Sequence, residues 1–119
     1  MNFLKYAVAV SASVLATTAV SETINACDYI ASAANIEEPW ENNTRTYANG
    51  DIRIALLNTG GEPVCCSNHL MIVSPNPEYG KGCHVLSNAE GYGFREVEFK
   101  AITSRYEPGT GVVLEVPVG

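Results

Sequence analysis

Apolar residues at every second position constrain this chain more than any other feature. Ile52, Ile54 and Leu56 alternate with Asp51, Arg53 and Ala55, and Val112, Leu114, Val116 and Val118 repeat the pattern near the carboxyl end. Successive side chains of a strand point to opposite faces, so a period of two sets one face on a core and leaves the other wetter. Turn residues punctuate the pattern. The run RTYANGDIRIALLN places two strand-like stretches about Asn49-Gly50, both tolerant of positive φ, which predicts a hairpin over residues 44–58 with a type I′ turn. A second hairpin is expected where Val97, Phe99 and Ala101 precede Tyr106 and the Glu107-Pro108-Gly109-Thr110-Gly111 turn leads into the last strand. Pro117 marks that strand as an edge. Between the hairpins the sequence predicts a strand over 64–73 stopped by Ser74-Pro75-Asn76-Pro77, a short strand over 83–87, and a glycine-containing turn over 88–93. Ile24, Cys27, Ile30 and Ala34 recur at helical spacing, predicting a short amino-terminal helix within 22–35. The expected fold is mainly β: a small antiparallel β-sandwich or barrel with a short N-terminal helix, stabilised by disulfides.

The amino terminus sets the compartment. Lys5 precedes an apolar run from Tyr6 to Val20, diluted by Ser11, Ser13, Thr17 and Thr18 and followed by Glu22. A bilayer-spanning helix needs roughly 20 apolar residues, whereas this run has the length of a signal-peptide core, and Ala19-Val20-Ser21 has the small side chains that cleavage requires. Residues 1–21 are therefore expected to be a cleaved signal peptide and 22–119 a single small domain, periplasmic or secreted, with no stable membrane insertion after cleavage. Lipidation at Cys27 is the competing reading, but it would leave Cys65, Cys66 and Cys83 as an odd set in an oxidising compartment. The whole chain carries a net charge of −6, and losing Lys5 leaves six basic side chains against thirteen acidic ones. An acidic surface of that kind argues against nucleic acid and anionic membrane as partners, while a protein partner stays open.

The four cysteines, Cys27, Cys65, Cys66 and Cys83, are disulfide candidates, as expected of a small exported domain. If Cys65 and Cys66 lie on a strand they point to opposite faces and each can reach a different partner, which is the favoured arrangement. A vicinal Cys65–Cys66 bridge is the rarer alternative, because neighbouring Cα atoms are closer than unstrained disulfides prefer. A different chemistry follows if the thiols stay reduced. Cys66, His69, Cys83 and His84 would then be the candidate metal ligands for zinc or copper, since thiolate and imidazole are soft donors and Cys66 and His69 have ligand-like spacing. Otherwise no cofactor is expected. Neither a nucleophile-elbow pattern around Ser67 nor a committed carboxylate pair appears, so no catalytic residue is nominated.

The aromatic residues Trp40, Tyr79 and Tyr92 sit beside proline or glycine in loops, where amphipathic rings form binding surfaces. The runs NGDIRIALLNTGGEP, HLMIVSPNPEYGKGCHVLS and RYEPGTGVVLEVPV together resemble a group of small exported alphaproteobacterial proteins of unknown function. That resemblance implies a bacterial, periplasmic home and brings no catalytic residue or ligand with it. The function expected from these features is a non-catalytic binding or accessory module of the bacterial envelope; the alternative is a soft-metal or thiol-redox protein using the Cys/His cluster.

Overall fold

The alternating stretches at 52–56 and 112–118 become strands at the positions their period marks. The computed structural model describes residues 2–8, 15–17, 23–61, 65–76, 78, 80–88 and 90–119. The expected cleavage position and Tyr79 lie outside the described residues. The strands are β1 (Asn2–Val8), β2 (Leu15–Thr17), β3 (Thr23–Ala26), β4 (Thr44–Tyr47), β5 (Ile52–Asn58), β6 (Asn68–Asn76), β7 (Gly80–Ser87), β8 (Thr103–Glu107) and β9 (Gly111–Val118). They form a four-stranded sheet in the order β2-β1-β9-β8 and a five-stranded sheet in the order β3-β7-β6-β5-β4, with antiparallel neighbours throughout.

Register decides which residues meet. Ile54 stands opposite Ile72, Leu56 opposite Leu70, and Leu70 opposite Leu86, so one face of the five-stranded sheet is a continuous apolar layer. That layer shares a core with Val112, Leu114, Val116 and Val118 of β9, all at most 8% exposed. Residues 94–102 tie the sheets together: Phe94 bridges Asn68 of β6 and Val97 bridges Val118 of β9. Phe94, Val97, Phe99 and Ile102 fill the side of the sandwich they cross. Arg45 spreads its guanidinium over the Phe99 ring, 5.1 Å from its centre, and donates to the Ile102 carbonyl at 3.3 Å.

Four local expectations change. The 44–58 hairpin forms, but Tyr47 pairs with Ile52, so four residues make the loop instead of two. Ala48, Asn49 and Gly50 all take positive φ to reverse the chain. The segment 22–35 holds no long helix: Thr23–Ala26 pairs with β7, and the helical part is confined to 3-10 turns at Tyr29–Ala31 and Ala33–Asn35. The Asp28 and Ser32 side chains accept from the amides of Ile30 and Ala34, two local bonds that favour single turns over a continuous helix. Strand β6 starts at Asn68 and runs through Pro75, which is tolerated because pairing with β5 ends at Val73 and leaves a neighbour on one side only. Finally, Phe99–Ala101 is a 3-10 turn and not the expected strand, since the chain is there crossing between the sheets.

Candidate ligand cleft

The outer face of the five-stranded sheet, turned away from the core, presents Leu57 and His69, which are paired in register. The segment from Cys27 to Ile36 crosses this face, from β3 at one edge to a bridge between Ile36 and Leu57 near the other. Where it crosses, a cleft of about 480 Å³ opens between Tyr29, Ile30 and Asn35 on one side and Cys66, His69 and the Gly91–Gly93 turn on the other.

Short side-chain-to-backbone bonds build each wall. Asn88 Oδ1 accepts from the amides of Glu90 and Tyr92 at 3.0 and 2.9 Å, and its Nδ2 donates to the Gly93 carbonyl at 3.1 Å. Asparagine readily closes such local rings, so this turn is held from within and carries Tyr92 outward. Asn58 Oδ1 accepts from the Gly60 amide and the Ser67 hydroxyl, each at 2.9 Å, shaping the loop that carries Thr59 and Cys66. On the opposite wall Asn35 Nδ2 donates to the Ile30 carbonyl at 3.0 Å. Tyr29 is 84% exposed and Tyr92 53% exposed, and both line the same hollow.

Both disulfides bear on this site. Ala26 pairs with His84, so the next step along the ladder brings Cys27 against Cys83, and those two are bonded with Cα atoms 5.4 Å apart. Cys65 and Cys66 are bonded to each other with Cα atoms 3.8 Å apart. The favoured arrangement, with each of them reaching a distant partner, assumed a strand at 65–66. Because β6 begins only at Asn68, the two cysteines lie in a loop and the alternate-face argument does not apply to them.

The sequence-derived metal set is not gathered. Cys66 and Cys83 both have their sulfurs in disulfides. His84 pairs with Ile72, three residues from His69 on β6, so the two imidazoles stand on opposite faces of the sheet. Cys83 pairs with Val73, on the face of His69 but about 13 Å further along the strand. Among the described residues no three His, Cys, Asp or Glu side chains cluster as metal ligands.

His69 is 3% exposed, with Nδ1 at 3.2 Å from both the Leu86 carbonyl oxygen and the Ser87 hydroxyl oxygen. Burial holds its imidazole below the ordinary range, opposed by the Leu86 hydrogen bond and the nearby Asp28 carboxylate. Burial also lowers His84, whose Nδ1 has no hydrogen-bond partner among the described residues. Of the serines near His69, Ser67 is bonded to Asn58 and Ser87 is 2% exposed, so neither offers a hydroxyl on the cleft wall.

Of the predicted aromatic surface, Tyr92 belongs to the cleft. Trp40 lies elsewhere, half-exposed beside Glu38, Pro39 and Glu41. Tyr29 escaped the sequence reading because it was absorbed into the expected helix. The signal available for it was its place off the Ile24, Cys27, Ile30 and Ala34 face, which turns it toward solvent in either conformation. Comparison with protein-family models, curated proteins and solved structures finds no match to this chain.

Proposed function

We propose that this chain is an exported, non-catalytic binding module of the bacterial envelope, processed after Ser21, and that its cleft takes a neutral, hydroxyl-bearing ring such as a sugar unit. One observation carries the reading. In a chain of net charge −6, the two outward tyrosines face one cleft from its two sides, and its described lining residues include no Asp, Glu, Lys or Arg. An aromatic face packs against the C–H face of a sugar, while the Asn35 amide and Thr59 hydroxyl supply the polar contacts that orient hydroxyl groups. An anionic ligand would find no counter-ion among the described lining residues. Catalysis is disfavoured because His69 is the cleft's one imidazole and its Nδ1 is engaged inside the sheet.

The bacterial and periplasmic assignment rests on the leader-like amino terminus and the family resemblance. The pairing of all four cysteines suits an oxidising compartment. No helix among the described residues is long and apolar enough to cross a membrane. The acidic charge supports a neutral ligand or a protein partner over nucleic acid.

Two-dimensional NMR of the exported, disulfide-bonded protein titrated with neutral cello- and chito-oligosaccharides tests the proposal. Shifts should concentrate at Tyr29, Asn35, Thr59 and Gly91–Gly93, and Tyr29→Ala or Tyr92→Ala should weaken binding by about tenfold or more, the effect of losing one aromatic stacking contact. Shifts scattered over both sheets, or tyrosine variants that bind as tightly as the parent, would sink the cleft as the ligand site. Retention of zinc or copper(I) after anaerobic, reducing purification would instead favour the soft-metal reading.

A further inference from the structure

We infer that the outer face of the five-stranded sheet carries a second ligand site, a groove across β4, β5 and β6 in which Arg53 meets the carboxylate of a medium-chain fatty acid and Ala55 underlies its hydrocarbon. The groove is separate from the tyrosine-lined cleft and uses no residue of the leader, so it stands whether or not the cleft takes a sugar. Its volume is about 530 Å³, within the range of small-molecule sites.

Register builds the groove. Ile52, Ile54 and Leu56 point into the core, so Arg53, Ala55 and Leu57 face outward. Arg53 stands between Thr46 of β4 and Val73 of β6, and Ala55 stands between Thr44 and Met71. The middle row therefore has a single methyl group at its centre, with larger side chains beside it and along the strand, and that missing volume is the hollow. Ala55 is 3% exposed and forms its floor. Ile36, bridged to Leu57, closes one end, and Arg53 stands at the other. Positions 53 and 57 lie about 14 Å apart along a strand. Carbon–carbon bonds of about 1.5 Å advance an extended chain by about 1.3 Å each, so about eight to ten carbons reach from one end to the other.

The polar groups at the groove select the head of the ligand. Arg45 borders it, but its guanidinium is turned to the core side, over the Phe99 ring and against the Ile102 carbonyl. Arg53 is exposed and donates through Nε to the Gly50 carbonyl at 3.2 Å, which leaves its two terminal nitrogens for a ligand. Among the described residues the ion pairs are those of Arg105 with Glu107 and Glu115, and no Asp or Glu borders the groove. A guanidinium without a carboxylate partner is notable in a chain with thirteen acidic side chains against seven basic ones. Placed at the end of a hollow lined by Ile36, Ala55, Met71 and Val73, it matches a ligand with one anionic head and an unbranched apolar tail.

Two-dimensional NMR of the exported, disulfide-bonded protein titrated with hexanoate, octanoate and decanoate tests the site. Shifts should concentrate at residues 36, 44–46, 53–55 and 71–73, and affinity should rise about fourfold for each methylene that the groove covers. Because Arg53 is exposed, Arg53→Gln should keep the parent's fold and weaken decanoate binding by about tenfold or more, whereas Lys81→Gln, at an exposed position of β7 outside the groove, should bind like the parent. Decan-1-ol that binds as tightly as decanoate, equal losses in the two variants, shifts that lie in the sandwich core or the tyrosine cleft, or no saturable shifts at all would each overturn the inference. Groove shifts on diluting the ligand-free protein would make a second copy the occupant and overturn it likewise. Oligosaccharide binding is read at Tyr29 and Gly91–Gly93, so the failure of either site is seen by itself.

Discussion

Gly93→Ala tests the packing that joins the cleft to the core. A Cβ built on Gly93 would lie 2.6 Å from the Cys66 carbonyl oxygen, 2.7 Å from the Asn68 nitrogen and 2.8 Å from the Ser67 carbonyl carbon. All three are backbone atoms, so no side-chain rotation relieves the overlap. Reaching ordinary contact at 3.4 Å requires the Gly93 strand and the start of β6 to part by about 0.6–0.8 Å. That movement stretches the two bonds exchanged by Asn68 and Phe94, now 3.2 and 2.6 Å. Overpacking of this kind costs about 1–3 kcal/mol, and weakening the bonds adds about 1 kcal/mol. The expected loss is therefore about 2–4 kcal/mol, or a fall in Tm of about 10–25 °C for a domain of this size. Gly91→Ala is the control: its added Cβ meets open space and only its φ of +88° resists, so its cost is about 1–2 kcal/mol. Calorimetry and urea unfolding of the two variants give the comparison. A Gly93→Ala protein that melts within about 2 °C of the parent would mean that the 93–68 approach is looser than described, and the cleft wall with it.

Two further predictions use the same unfolding assays. Replacing Cys27 and Cys83 by alanine opens a loop with a sequence separation of 56, for which chain entropy predicts a loss of about 4 kcal/mol, whereas replacing Cys65 and Cys66 releases almost no loop and should cost about 1 kcal/mol; equal losses would contradict this connectivity. For His69, burial lowers the folded pKa below the ordinary 6.5, so the unfolded chain binds more protons in the window beneath that value. The stabilisation is complete above pH 6.5 and is lost as the pH falls through the folded pKa. His69→Gln should therefore flatten the stability profile between about pH 7.5 and 5; a profile that is unchanged, or that rises toward acid because of His69, would refute the assignment.

Much of the architecture was legible because it is written in local period. Ile52, Ile54 and Leu56, and the four alternating residues of β9, needed no tertiary information to be read as one-faced strands, since the pleat itself makes every second side chain a neighbour. The turns at Asn49-Gly50, Asn88–Gly93 and 108–110 were legible for a similar reason: asparagine, glycine and proline act on their own backbone. Tertiary structure decided what lies between distant segments. His69 and His84 look like one cluster in sequence, yet register sends them to opposite faces. Cys27 finds Cys83 because β3 pairs with β7, and Cys65 bonds to Cys66 because β6 starts three residues later than Cys65. Tyr29 and Tyr92, 63 positions apart, line one cleft from its two sides because the Cys27–Ile36 segment crosses the sheet. Local chemistry thus determined the strands and turns, whereas the cleft and the disulfide pairs depend on strand order and register, which arise only when remote residues compete for the same core.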